Sequence, residues 1–219
     1  MRLKTIEERL ERRYGATAWK SRGSAVDVLI ATILSQNTSD INSTRAFKSL
    51  KSTFSSWESV GVASLGKIEN AIKIGGLAKM KATYIRDALE RIKKDNGKYD
   101  LSGLKRQPTA KSLAYLTSFH GIGEKTAACV LLFAFGLKIM PVDTHVHRIS
   151  QRLGLVPTGS DRRKTFQFWF GQKNLDDYYN LHLNLVRHGR EICLARKPGC
   201  TDCVINALCG FYKDRKDNG

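Results

Sequence analysis

The spacing of apolar residues limits the fold of this chain more than any other feature, because it is helical nearly everywhere. Val26, Leu29, Ile30, Ile33 and Leu34 recur at i, i+3, i+4, i+7 and i+8, one face of a buried helix. Ile85, Ala88, Leu89 and Ile92 repeat the pattern in KATYIRDALERIKKDNG, where Gly97 marks a helix end. Strand-like alternation is absent, and four prolines leave few breaks. With 42% apolar residues the chain is able to bury a core. The expected fold is all-α with short polar connections. One such connection, LSQNTSDINST at 34–44, interrupts an apolar helix; another, IKIGGLAKMKA, places a Gly-Gly turn among lysines. Pro141 precedes a new helix that Asp143 or Thr144 is placed to cap, and the charged end YKDRKDNG reads as a frayed tail.

Charge narrows the function. Lys and Arg number 37 against 20 Asp and Glu, a formal charge of +17 that points to an anionic partner, nucleic acid first. The start, MRLKTIEERLERRYG, is charged at helical spacing and lacks the apolar run of a signal peptide. The longest apolar run, ACVLLFAFGL, is about half of what a membrane span needs. The expectation is a cytoplasmic, nucleoid-associated protein without a membrane partner, its cysteines reduced.

Four of the five cysteines crowd into CLARKPGCTDCVINALC: Cys193, Cys200, Cys203 and Cys209, spaced C-x6-C-x2-C-x5-C. A reducing compartment disfavours disulfides, which leaves a metal centre. Zinc usually takes two short Cys pairs and this run has one; a coil wrapped around an iron–sulfur cluster fits at least as well, and spacing alone leaves both open. Cys129, inside the apolar TAACVLLF, reads as core.

In FHGIGEKTAACVLLFAFG, residues 119–136, a G-x-G turn opens an apolar helix. Gly121 and Gly123 permit backbone angles barred to other residues, and the helix start behind them offers free N–H groups, an anion site made of main chain. Lys125 stands in the first turn with no other charge in the next eleven residues, and Asp143 follows eighteen residues later at another helix start. If those helices are neighbours, an amine and a carboxylate face one cleft.

FHGIGEKTAACVL, then PVDTHVHRISQRLGL, then CLARKPGCTDCVINALC together resemble the endonuclease III family of DNA glycosylases, in motif order and spacing. The similarity runs over nearly the whole chain from VDVLIATILSQNTSD onward. It implies a two-lobed helical protein: a six-helix barrel with a helix-hairpin-helix over 18–137, and an iron–sulfur lobe of 1–17 and 138–219 holding a [4Fe–4S] cluster on Cys193, Cys200, Cys203 and Cys209. Between the lobes the family takes a base flipped out of double-stranded DNA. By position, Lys125 matches the family's nucleophile and Asp143 its catalytic aspartate. The hairpin Gly121-Ile122-Gly123 grips the backbone near the lesion. Gln36 or Asn37 fills the gap left by the flipped base, and Leu77 wedges the other side; direct alignment favours Asn37, and the choice stays open. Arg196 and Lys197, in the cluster loop, meet DNA phosphate. His145 and His147 read as structural.

The implied activity is that of a monomeric bifunctional glycosylase and abasic-site lyase for oxidised pyrimidines. The alternatives are a monofunctional glycosylase for mismatched thymine or uracil, whose relatives commonly replace the lysine, and a non-catalytic iron–sulfur DNA-binding module. An adenine-removing enzyme is disfavoured, because LIATILS before the wedge loop carries no carboxylate.

Overall fold

A computed structural model of the chain describes residues 2–172 and 174–217. Among these residues there are twelve α-helices and no strand. They are α1 (Arg2–Tyr14), α2 (Ala25–Leu34), α3 (Asp40–Thr53), α4 (Trp57–Gly61), α5 (Leu65–Ile72), α6 (Ala78–Asn96), α7 (Thr109–Thr117), α8 (Glu124–Phe135), α9 (Thr144–Arg152), α10 (Arg162–Phe170), α11 (Tyr178–Glu191) and α12 (Gly210–Asp217). No helix among the described residues is long and apolar enough to cross a membrane. The chain forms two compact units, Ser21–Phe135 and a second made of Met1–Lys20 with Gly136–Gly219. The lobe ends placed at residues 1 and 219 lie outside the described residues.

The Ser21–Phe135 unit contains α2 to α8, six of them eight residues or longer and α4 a single turn. Ser24 begins α2 with a reciprocal cap: its hydroxyl accepts from the Asp27 N–H, and the Asp27 carboxylate accepts from the Ser24 N–H. The expected stripe from Val26 to Leu34 is buried, and Ala25, Val28 and Thr32 are buried with it. A helix apolar on nearly every side belongs in the middle of a core, and α2 packs on α8, α3 and α6. In α8, Thr126 through Ala134 are all buried, Cys129 among them. The long helix α6 turns Ile85, Ala88, Leu89 and Ile92 inward and ends at Gly97, whose φ of +70° is the left-handed turn expected there.

The second unit contains α1 and α9 to α12. Polar links join its distant segments: Thr17 N–H and Asn184 Nδ2 donate to Asn180 Oδ1, and Asn180 Nδ2 donates to Glu11 Oε2. Buried Trp169 donates through Nε1 to Ser150 Oγ at 2.9 Å. The C-terminal segment read as a frayed tail is helical through Asp217, while Asn218 and Gly219 lie outside the described residues. Its anchor is Phe211, covered by the guanidinium groups of Arg152 at 4.7 Å and Arg215 at 5.5 Å.

Candidate active site and cysteine pocket

In the Ser21–Phe135 unit the hairpin is a tight turn between α7 and α8. Its core anchors are Phe119 and Ile122, 5% and 4% exposed, and the Ile122 N–H donates to Phe119 O at 3.1 Å. Ile122 therefore supports the turn from inside, and its side chain is not at the surface. Gly121 is required twice over: its φ is +75°, and a Cβ there would lie 2.4 Å from the Tyr84 ring. Gly123 differs from expectation. Its φ is outside the left-handed region, and no atom stands within 4 Å of where a Cβ would project. What it contributes is open space before the first N–H groups of α8. His120 Nδ1 bonds Asp87 Oδ2 at 2.9 Å and its ring meets the Tyr84 edge, so α6 braces the turn. Lys125 is exposed in the first turn of α8.

Two further tips belong to this unit. After α2, Gln36 turns back: its Nε2 donates to Gly121 O at 3.2 Å and Thr126 Oγ1 at 3.3 Å. Asn37, next to it, is exposed with a φ of +52°. Leu77, before α6, has the same φ and is 52% exposed. The wedge choice left open by the motif is thus divided by geometry: Gln36 is bonded to the hairpin, and Asn37 projects. Only one other non-glycine residue among those described has positive φ, Lys197 at +49°. Left-handed backbone is costly for L-residues and collects at functional tips.

The second unit holds Asp143, the N-cap of α9. Its Oδ1 accepts from the His145 N–H at 2.9 Å and the Val146 N–H at 2.8 Å, which leaves Oδ2 outside the cap. His145 and His147 take the structural roles expected of them: His147 Nδ1 bonds Thr165 Oγ1 at 2.8 Å, and His145 Nδ1 meets Arg148 Nη2 at 3.1 Å.

Cys193, Cys200, Cys203 and Cys209 line one pocket, together with Arg152, Asn206 and Phe211. Among the described residues no three His, Cys, Asp or Glu side chains form a ready ligand set for a metal ion. Burial pushes the Cys203 thiol up to about 11 and raises Cys209 as well, and the neighbouring sulfurs push in the same direction. Cys203 and Cys209 so placed resist ionisation unless a cationic centre sits beside them.

The loop around the pocket is clamped by residues that the sequence did not single out. Arg152 donates to Leu194 O at 2.7 Å, Ala195 O at 3.0 Å and Cys193 Sγ at 3.2 Å. Arg148 donates to Cys193 O at 2.9 Å and Gly189 O at 2.8 Å. His188, fully buried, joins Tyr14 Oη at 2.9 Å to Cys203 Sγ at 3.4 Å, and burial lowers its pKa to about 4, so it is neutral. Arg196 and Lys197 are exposed on the loop so held.

Residues 30–170 match the family described as HhH-GPD superfamily base excision DNA repair protein. The chain is 42% identical over 200 residues to a provisionally assigned DNA glycosylase of Arabidopsis thaliana, covering 86% of this chain and 67% of that one. It is 35% identical over 192 residues to an endonuclease III of Sulfolobus acidocaldarius, 87% of this chain and 83% of that one. Its fold matches an endonuclease III solved in a non-covalent complex with DNA, with a TM-score of 0.80, 24% identity, and 98% and 97% of the two chains covered.

Proposed function

The chain belongs to the HhH-GPD superfamily of base excision DNA repair glycosylases and is related to endonuclease III, and on that premise we propose that it is a bifunctional enzyme that removes oxidised pyrimidines from duplex DNA and then nicks the abasic site. The observation that carries this reading is Lys125, an exposed amine in the first turn of a helix whose preceding hairpin leaves its N–H groups open. A helix start of this kind receives a backbone phosphate, which brings the sugar of the flipped nucleotide to the amine.

The chemistry follows from the groups. Leaving of the base builds positive charge on the sugar, which the Asp143 carboxylate stabilises through its uncapped oxygen. Neutral Lys125 attacks C1′, and the electron pair of the glycosidic bond departs with the base, which takes up a proton. Asp143 accepts the proton that the amine sheds. Ring opening gives the Schiff base. Removal of a C2′ proton then pushes electrons toward the iminium and expels the 3′ phosphate, and water releases the lysine.

Asn37 and Leu77 enter the opened duplex in this reading, while Arg196 and Lys197 add sequence-independent phosphate contacts. In this reading Cys193, Cys200, Cys203 and Cys209, which line one pocket, would hold a [4Fe–4S] cluster. Such a centre would supply positive charge among the sulfurs and a covalent tie for the loop. One protein molecule acts on one lesion.

Borohydride trapping tests the proposal. Duplex DNA with one oxidised pyrimidine should give a covalent protein–DNA adduct that vanishes in Lys125→Gln and in undamaged DNA. Release of free base without an adduct would instead make the enzyme monofunctional.

A further inference from the structure

Lys81 is the one lysine among the described residues with no exposed surface, at 0% accessibility. It lies on the inward face of α6, in phase with Ile85, Ala88, Leu89 and Ile92. An apolar side chain would be the ordinary occupant of that position, since an ammonium loses its hydration on burial. Here Nζ donates to two main-chain carbonyls, Leu34 O and Gly75 O, both at 2.8 Å. Leu34 is the last residue of α2, where carbonyls lack helical partners and the helix dipole favours a cation. Gly75 ends the 3-10 turn Lys73–Gly75.

These two carbonyls sit just before the two exposed left-handed tips. Leu34 precedes Asn37 by three residues, and Gly75 precedes Leu77 by two. From these bonds we infer that Lys81 is a positioning residue, fixing the Asn37 and Leu77 tips in register so that both sides of an opened base pair are met together. Gln36 extends the same frame to the hairpin through Gly121 O and Thr126 Oγ1. The chain of contacts then runs from the Leu77 turn through Lys81 to the end of α2, and on to the turn before Lys125. Burial lowers the Lys81 pKa, as a desolvated amine requires, and the carbonyls are what make the site tolerable for the charge. A methyl or amide in place of the ammonium leaves α6 its packing but unlinks the tips.

This inference rests on the reading of Asn37 and Leu77 as wedges, and the experiment separates the two. Single-turnover base release is measured on an oxidised pyrimidine in duplex DNA and on the same lesion in an unpaired bubble, where no stacked pair has to be opened. The double variant Asn37→Ala with Leu77→Ala reports on the wedges themselves and should lose activity selectively on the duplex. Lys81→Met should lose about tenfold on the duplex and less than about twofold on the bubble, with Lys81→Gln between it and the wild type. Lys81→Gln retains a donor for one carbonyl and carries the same comparison if the Met variant does not fold. Equal losses on both DNAs, or no loss where the double variant shows a selective one, overturn the role of Lys81. No selective loss in the double variant overturns the wedge reading instead, and a wild type that releases no base from either DNA overturns the enzymatic one.

Discussion

The two units of this molecule solve the same problem by different means. In Ser21–Phe135 the work is done by packing: Leu29, Ile30, Ile33, Leu34, Leu50, Ile68, Ile72, Ile85, Leu89 and Ile92 are each 0% exposed, and Lys81 is the charged exception. In the other unit, residues 193–209 contain one buried side chain, Ile205. A loop with so little apolar material cannot hold its shape by burial. It is held by Arg148 and Arg152, which reach its carbonyls from α9. The lesson is that exposed tips need a stiff apolar frame behind them, whereas a loop poor in apolar residues can be organised from outside by charge-assisted bonds.

Three substitutions sharpen or break this contrast. The largest effect is expected from Leu89→Ala, a truncation in the packed unit that should cost about 2–5 kcal/mol in urea denaturation. Next comes Arg148→Met, which keeps the aliphatic stem and removes the donors to Cys193 O and Gly189 O. It should cost about 2 kcal/mol and speed hydrogen exchange in residues 193–209. A cost below about 0.5 kcal/mol, the scale of an ordinary surface change, would break the contrast.

The smallest effect concerns Glu7, 6% exposed, whose carboxylate accepts from the Asp177 N–H at 3.0 Å. Burial first, and the charges of Asp176 and Asp177 after it, raise its pKa above the ordinary 4.5. The folded state then holds this proton more tightly than the unfolded chain does. The stability it contributes is present below pH 4.5 and is lost as pH rises through the folded value. Glu7→Gln keeps an acceptor without the charge, so its stability relative to wild type should be greater at pH 7 than at pH 4. Urea midpoints at the two pH values decide this, and an identical difference at both would remove burial of the charge as a cost in this unit.

Much of the architecture was legible in local pattern. The inward faces of α2 and α6, the cap at Asp143, the buried Cys129 and the glycine requirement at Gly121 all depend on residues within a turn or two of one another. Gly123 was misread because G-x-G says that a turn is tight without saying which glycine takes the left-handed angle. Lys81 was in phase with the buried face all along, but lysine is so seldom buried that its phase carried little weight.

By itself, then, the sequence determined that the chain is all-helical and that α9 begins at the Asp143 cap, because helix periodicity and capping are set over a few residues. Only the tertiary structure decided which of Gln36 and Asn37 projects, why Lys81 is tolerated, and what clamps the cysteine loop. The acceptors concerned are carbonyls of distant segments, 47 residues from Lys81 in the case of Leu34 and 41 to 45 from Arg148 and Arg152. Every residue has a carbonyl, so no side-chain pattern marks the ones that folding brings within reach.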